Sequence, residues 1–406
     1  MTSRDLAPTR TGRAIPLAVL GAAFLFNLGQ GVLRPAMPLY LERTFAANYK
    51  MVTLIPVVFG AGKWMANLPT GYLMSRLGRP LMFCGLALIA VIDVASVATS
   101  RYDVFLGLRA LGGVGWAMFA TVATTAMVTV STAERRGRAV SLLLMSETLG
   151  LLLGSAAGGW LYQGVGIGSP FLFEAACMLV AAVTVGRWAS FTGNPTTPRE
   201  QPRRDRTLLR SALSTPTVVF MGVTSAVLMA IQTGVLVFLF PLFLVERAGA
   251  GPEAVGFLLS LGVLGRLTAL WLGGTVSDRW GRIRVLSPGL LTYAVFLAGM
   301  AWLTHPVAVA IVSFAVGAAA GFVAPVPTAL ASDQVAPSLQ GVTVAWIRTM
   351  TDTGQIVGPL VMGALADAVD LSAPFFFGAV LLGATAWQCH RCSSSMLTAA
   401  GPKGTS

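Results

Sequence analysis

This chain has little charge. Only 11% of its 406 residues are Asp, Glu, Lys or Arg, while 55% are hydrophobic and the mean hydropathy is +0.74. A soluble domain carries roughly 25% charged residues. No water-soluble fold hides so much apolar surface, so the bilayer must act as the solvent. Histidine is almost missing, with two copies, His305 and His390. No Ser/His/Asp set, phosphate-cradling glycine loop or His-Glu-x-x-His pair occurs, and enzymatic activity is not expected. His305, beside Pro306, reads as a solvated turn residue. Cysteine is limited to Cys84, Cys177, Cys389 and Cys392. The first two lie in apolar runs, which implies no disulfide framework. The run Cys389-His390-Arg391-Cys392 has the spacing of a metal knuckle but no second pair to complete it, so no metal and no cofactor is expected.

Acids are scarcer than bases, 16 against 28, leaving a net charge of +12. The distribution argues against nucleic acid as partner. Apolar segments of spanning length fall near 14–41, 51–74, 80–99, 103–130, 138–162 and 169–190, then near 216–245, 253–275, 284–303, 306–331, 339–366 and 372–389. The expected fold is all-α, a polytopic membrane protein of 12 transmembrane helices in two six-helix bundles. The termini and even-numbered loops hold 19 Lys and Arg, the odd-numbered loops four. By the positive-inside rule both termini are expected in the cytoplasm, and the plasma membrane is the expected location. The polar start, Met1 to Arg13, leads into an apolar run that holds Asn27 and Gln30 and ends without a small-residue cleavage site, so a retained first helix is expected. The expected organisation is a bundle over 1–190, a Pro-, Thr- and Arg-rich cytoplasmic linker over 191–215, a bundle over 216–390 and a cytoplasmic tail over 391–406.

The two halves repeat each other. Gly71-Tyr72-Leu73-Met74-Ser75-Arg76-Leu77-Gly78-Arg79 and Gly274-Thr275-Val276-Ser277-Asp278-Arg279-Trp280-Gly281-Arg282 lie 203 residues apart, each a short basic turn between two apolar runs. Span 4 holds Arg109-x-x-Gly112-Gly113-x-Gly115. Span 5 holds Gly150-x-x-x-Gly154-Ser155-x-x-Gly158-Gly159, and span 11 echoes it as Gly354-x-x-x-Gly358-Pro359-x-x-x-Gly363. Glycines four apart open a groove into which another helix packs closely. These motifs resemble the major facilitator superfamily across essentially the whole chain, in particular its proton-coupled drug and metabolite antiporters. The family's loop between spans 2 and 3 reads G-x-L-x-D-R-x-G-R. Ser75 stands where the acid usually sits in the first copy, and Ser155 replaces the proline of the antiporter motif. The resemblance implies alternating access around a midplane site. It also implies a cytoplasmic latch built from Gly71, Arg76, Gly78, Arg79, Gly274, Asp278, Arg279, Gly281 and Arg282. Gly150, Gly154, Gly158, Gly354, Gly358 and Pro359 are then helix-packing positions, although such seams are also common as generic packing. A functional monomer is expected from the family fold.

Ionisable residues within spans are costly and mark function. The spans hold Arg34, Lys63, Arg109, Arg266 and Arg348 against Asp93, Glu147, Glu174 and Asp352. Lys63 and Arg266 match at the 203-residue offset and read equally as an anion clamp or as members of structural ion pairs. Asn27, Gln30 and Arg34 share one helical face, as do Arg348, Asp352 and Gln355, where Arg348 and Asp352 are also placed to pair with each other; Gln232 adds a polar group on span 7. These eight cations and amides, Asp352 apart, are the candidate substrate contacts. Glu147, one turn before the glycine seam, is the first candidate proton carrier, Asp352 the second, with Arg109 placed to respond. Asp93 reads as a helix–helix contact and Glu174 as a helix-end carboxylate. Over the likely cavity-lining set this leaves a formal surplus of three positive charges. The leading expectation is proton-coupled export of a small organic solute, with protons and the lipid bilayer as partners. The rivals are an organic-anion symporter or exchanger built on Lys63 and Arg266, and a membrane receptor that does not transport.

Overall fold

A computed structural model describes residues 10–130, 136–188, 215–335 and 340–399. Most of the linker and the end of the tail, 189–214 and 400–406, lie outside them. Every regular element among the described residues is helical. The first half comprises α1 (Arg10–Phe45), α2 (Tyr49–Ala98), α3 (Tyr102–Val130), α4 (Arg136–Gly164) and α5 (Ser169–Trp188). The second comprises α6 (Pro216–Ala230), a π-helical segment (Ile231–Leu239), α7 (Phe240–Ala248), α8 (Pro252–Trp280), α9 (Arg282–Met300), α10 (Pro306–Val323), α11 (Val326–Asp333), α12 (Gln340–Ala368) and α13 (Ala373–Ala399).

Helix ends fall where the local chemistry stops propagation. Pro216, Pro252 and Pro306 open α6, α8 and α10, where a missing N–H costs nothing. Gly249, at φ 61°, gives α7 its left-handed C-cap, and Gly281, at φ 91°, makes the turn between α8 and α9. Two expected spans are fused into α2 across a kink at Leu77 (φ −120°, ψ 20°), inside the first basic turn. One expected span is divided among α6, the π segment and α7, and another between α10 and α11. Among the described residues, ten helical stretches have the length and hydropathy to cross a membrane. Two further long helices, α12 of 29 residues and α13 of 27, occupy the eleventh and twelfth apolar segments.

The chain divides into two compact units. One holds Met1–Ala47, Val57–Arg199 and Gly251–Ser260; the other holds Asn48–Pro56, Glu200–Ala250 and Leu261–Ser406. The first turns of α2 and α8 are thus each grouped away from the rest of their helix, a detail not expected from the apolar pattern. In the second unit the carboxylate of Asp367 accepts the backbone N–H groups of Tyr49 and Lys50, each at 3.0 Å, supplying acceptors to the otherwise unpaired donors at the start of α2.

In the first unit α1 packs against α4 and α5. The core gathers Val19, Phe26, Met82, Phe119, Leu143 and Met178, with the Phe26 and Phe119 rings stacked at 4.4 Å. Close approach of α1 and α4 depends on glycine. A Cβ on Gly150, Gly154 or Gly158 would overlap the backbone oxygens of Phe24, Leu28 and Val32 in turn. In the second unit α12 approaches α6 by the same device, with Gly354 over Ala226 and Gly358 over Ala230, while α9 packs against α13 and α10. Large apolar side chains such as Leu17, Val91, Trp160 and Val295 remain exposed, as expected where the surrounding solvent is hydrocarbon.

Candidate functional site

The second unit holds a half-open cavity of about 130 Å³ lined by Ser225 and Met229 of α6, Gln232 of the π segment, Arg266 of α8, Tyr293 of α9, Thr351 of α12 and neighbouring residues of α10 and α11. A cavity of roughly 150 Å³ accepts benzene, so this one suits a group about one ring in size. Each element contributes for a local reason. The π segment carries Gln232, and such segments are frequent at functional sites. Gly321 and Gly265 let α8 and α10 approach until a Cβ on either would overlap the other helix's backbone, at Arg266 O and Phe314 O respectively.

The chemistry of the lining is one-sided. Among its residues are hydroxyls, one amide and one guanidinium, with no carboxylate. No described residue ion-pairs with Arg266, although Tyr293 lies close enough to interact electrostatically with it. The Tyr293 hydroxyl is itself buried with no hydrogen-bond partner. A buried phenol with no partner costs about 1–3 kcal/mol unless something supplies an acceptor, and the half-buried guanidinium beside it offers its donors to the same ligand.

The first unit holds the other charged cluster. Arg109 of α3 donates from Nη2 to Asp93 Oδ1 at 2.9 Å and to Ser96 Oγ at 2.7 Å, both on α2. Gln30 of α1 donates from Nε2 to Glu174 Oε1 on α5. The carboxyls of Asp93 and Glu174 lie within hydrogen-bonding reach of each other, and both residues are fully buried. The Arg109 guanidinium sits over the rings of Phe105 and Phe171, 5.4 and 5.5 Å from their centroids, and Tyr40 packs against both rings. A Cβ on Gly29 would come 3.0 Å from Glu174 Cγ, so the absence of a side chain there lets α1 lie against the carboxyl-bearing turn of α5. Asp93, expected to bond a neighbouring helix, meets Arg109 of α3. Glu174 is not a helix-end group: it is wholly enclosed and faces Gln30 and Asp93. No local pattern signals that meeting, because 81 residues separate the two acids. Tyr293, Ser225 and Thr351 were likewise invisible as cavity residues.

The remaining candidates fall in several places. Lys63, buried on α2, sets its Nζ 4.8 Å from the centroid of Trp116 on α3. Asn27 turns its amide back to Ala23 O at 3.0 Å, and Gln30 is engaged by Glu174, so the face shared with half-buried Arg34 is partly spent on internal bonds. Glu147 is half-buried on α4. Arg109 is joined to Asp93. On α12, Asp352 is buried, Gln355 half-buried and Arg348 exposed. In the basic turns, Arg79 donates to Gly186 O in the last turn of α5, and Arg282 pairs with Asp333 at the end of α11. These are equivalent positions in the repeat, one meeting a helix-end carbonyl and the other a carboxylate. Arg279 and Gly71 are exposed and Gly78 is buried. The side chains of Arg76 and Asp278 and the surroundings of Gly274 lie outside what the structure describes.

The sequence model of the Major Facilitator Superfamily matches residues 19–265 and 223–391. The chain belongs to the Major Facilitator Superfamily. Curated relatives include Multidrug resistance protein 2 of Bacillus subtilis strain 168, 23% identical over 379 residues, covering 91% of this chain and 93% of the relative. Multidrug resistance protein MdtG of Citrobacter koseri is 25% identical over 407 residues, covering 97% and 98%. Among solved structures, the nucleoside transporter NupG superposes with a TM-score of 0.78 at 11% identity, covering 93% of this chain and 98% of that one. A bacterial homologue of the human lysosomal transporter Spinster gives 0.77 at 13%, covering 95% and 98%. These likenesses show the superfamily fold. The superfamily whose model the chain matches is one of integral membrane transporters, not of enzymes.

Proposed function

We propose that this facilitator exports a small organic solute by alternating access, driven by protons moving the other way, and that the cavity around Arg266 receives an anionic or acceptor-rich part of that solute. Its curated relatives bear multidrug-resistance names, which supports export as the direction. The observation that carries the substrate class is the Arg266 cavity: a guanidinium with no carboxylate beside it, next to a phenol with no partner. A cavity evolved for lipophilic cations would be expected to present an acid or an open aromatic face. In this reading Arg266, Tyr293 and Gln232 contact the solute, with Arg34, Arg348 and Gln355 as further candidates and Lys63 held by Trp116. The acids available within the spans for proton exchange are Asp93, Glu147, Glu174 and Asp352. The basic turns form the cytoplasmic latch, with both termini in the cytoplasm of a bacterial-type cell membrane and a single chain as the working unit. The asymmetry of arginine and lysine between alternate loops supports that orientation.

Thermal unfolding of the purified protein against a ligand panel tests the substrate class. A ligand at 100 times its dissociation constant adds about 2.7 kcal/mol of stability. Aromatic carboxylates and small organic phosphates are expected to raise the melting temperature, whereas lipophilic cations of matched size are not. Stabilisation by the cations alone would overturn the assignment of the cavity.

A further inference from the structure

The geometry points to Asp93 and Glu174 as a membrane-embedded proton-binding site in which two carboxyls share one exchangeable proton beside Arg109. Charge counting comes first. Two acids and one guanidinium meet in a space from which water is excluded: Asp93 and Glu174 are fully buried, and Arg109 is 6% exposed. With both acids ionised the cluster would carry one uncompensated negative charge in a low dielectric, which is among the costliest arrangements a protein interior can hold. Hydrogen bonding comes second. Asp93 Oδ1 is taken by Arg109 and Glu174 Oε1 by Gln30, leaving Asp93 Oδ2 and Glu174 Oε2 buried with no donor. The two carboxyls are within hydrogen-bonding reach of each other, and one proton placed between them serves both orphaned oxygens and brings the net charge to zero. Water supplies that proton and receives it back when the cluster opens.

Several charged and titratable groups surround the pair. Around the pair, α1 presents Gln30, Tyr40 and, one turn on, Arg34; α2 presents Ser96, with Lys63 farther along against Trp116; α3 presents Arg109; α5 presents Cys177, which feels the Glu174 charge; α4, packed on α1, carries Glu147. Tyr40 spends its hydroxyl proton on the Ser96 carbonyl at 3.2 Å. The Phe105 and Phe171 rings cover the guanidinium and keep the cluster dry. The cluster lies about 8–10 Å from the nearby ends of α2, α3 and α5, at the end of the unit opposite the Gly71–Arg79 turn. A short opening of the helix ends therefore exposes it to water.

Its role in driving export rests on the proton-coupled reading above; its capacity to bind a proton does not. Infrared difference spectroscopy of the purified wild-type chain, titrated across neutral pH, reads the carbonyl stretch of a protonated carboxylic acid directly. One titrating band is expected, shifted in heavy water. Asp93→Asn and Glu174→Gln, each close to isosteric, leave one carboxylate opposite Arg109, so the band should vanish in both while Glu147→Gln retains it. Retention of the band in either cluster variant, its loss in Glu147→Gln, or a wild-type spectrum without a titrating acid overturns the proposal. If one variant fails to fold, the wild-type titration and the other variant still decide. A parallel flux assay in proteoliposomes separates the two claims: export indifferent to pH alongside a titrating Asp93–Glu174 band defeats the coupling and leaves the proton site standing.

Discussion

Replacing Gly154 with Leu is expected to abolish assembly of the first unit. The effect is not one of lost contacts but of backbone proximity. Gly154 faces the carbonyl of Leu28 so closely that even a single methyl would overlap it, with Gly31 Cα and Leu28 C packed just behind. Overpacking a core normally costs about 1–3 kcal/mol because flexible side chains absorb much of the clash. Here both sides of the contact are helix backbone, and backbone does not turn aside. The whole α1–α4 interface would have to open, taking with it Gly150, Gly158 and the Ser146 hydroxyl bond to Leu20 O at 2.8 Å. Gly154→Leu should accumulate as aggregate on size-exclusion chromatography, and Gly154→Ala should melt well below the wild type. Gly21→Ala, with nothing within 4 Å of the new methyl, serves as the control on the same helix pair and should behave like the wild type. A monodisperse Gly154→Leu protein with unchanged melting would mean that α1 and α4 do not meet on this seam.

Arg266→Met is expected to act in opposite directions on stability and on binding. Without ligand, the substitution removes a guanidinium that no described carboxylate balances, so the empty protein should become more stable. With an aromatic acid as ligand, losing the charged partner should weaken binding by about 3 kcal/mol, or more than 100-fold. Tyr293→Phe follows the same logic on a smaller scale. Its hydroxyl is buried with no partner in the empty cavity, so removing it should raise melting slightly and weaken ligand binding by roughly tenfold. If Arg266 were instead half of a structural ion pair, Arg266→Met would destabilise the protein and spare affinity. Melting curves with and without ligand, together with titration calorimetry, distinguish the two.

That divergence also shows where sequence reading stops. Lys63 and Arg266 are equivalent by the internal repeat, and equivalence suggests one shared role. Their neighbours differ. Lys63 lies on the face of Trp116, whereas the repeat places Ala319 or Ala320 at the corresponding point of the second half, and no ring covers Arg266. One cation is thereby satisfied within its unit and the other lines an open cavity. The apolar runs and glycine spacings were legible because helix length and helix–helix distance depend on local composition: the Gly150, Gly154 and Gly158 series names its own interface. The acids were not. Asp93 and Glu174 come together only through the packing of α1, α2, α3 and α5, and nothing within a helical turn of either residue records it. Glu147 stood out in the sequence because it borders a motif, yet the structure leaves it half-buried while the two acids with no motif are fully enclosed.

Proton-driven flux in reconstituted vesicles tests the account most directly. Purified protein in proteoliposomes would be given a labelled aromatic carboxylate that stabilises it, with a pH gradient imposed across the membrane. The account expects substrate to move against the proton flow, to stop when the gradient is collapsed by a protonophore, and to be lost in Arg266→Met vesicles. Binding without gradient-dependent movement, or movement of the same size in Arg266→Met vesicles, would contradict it.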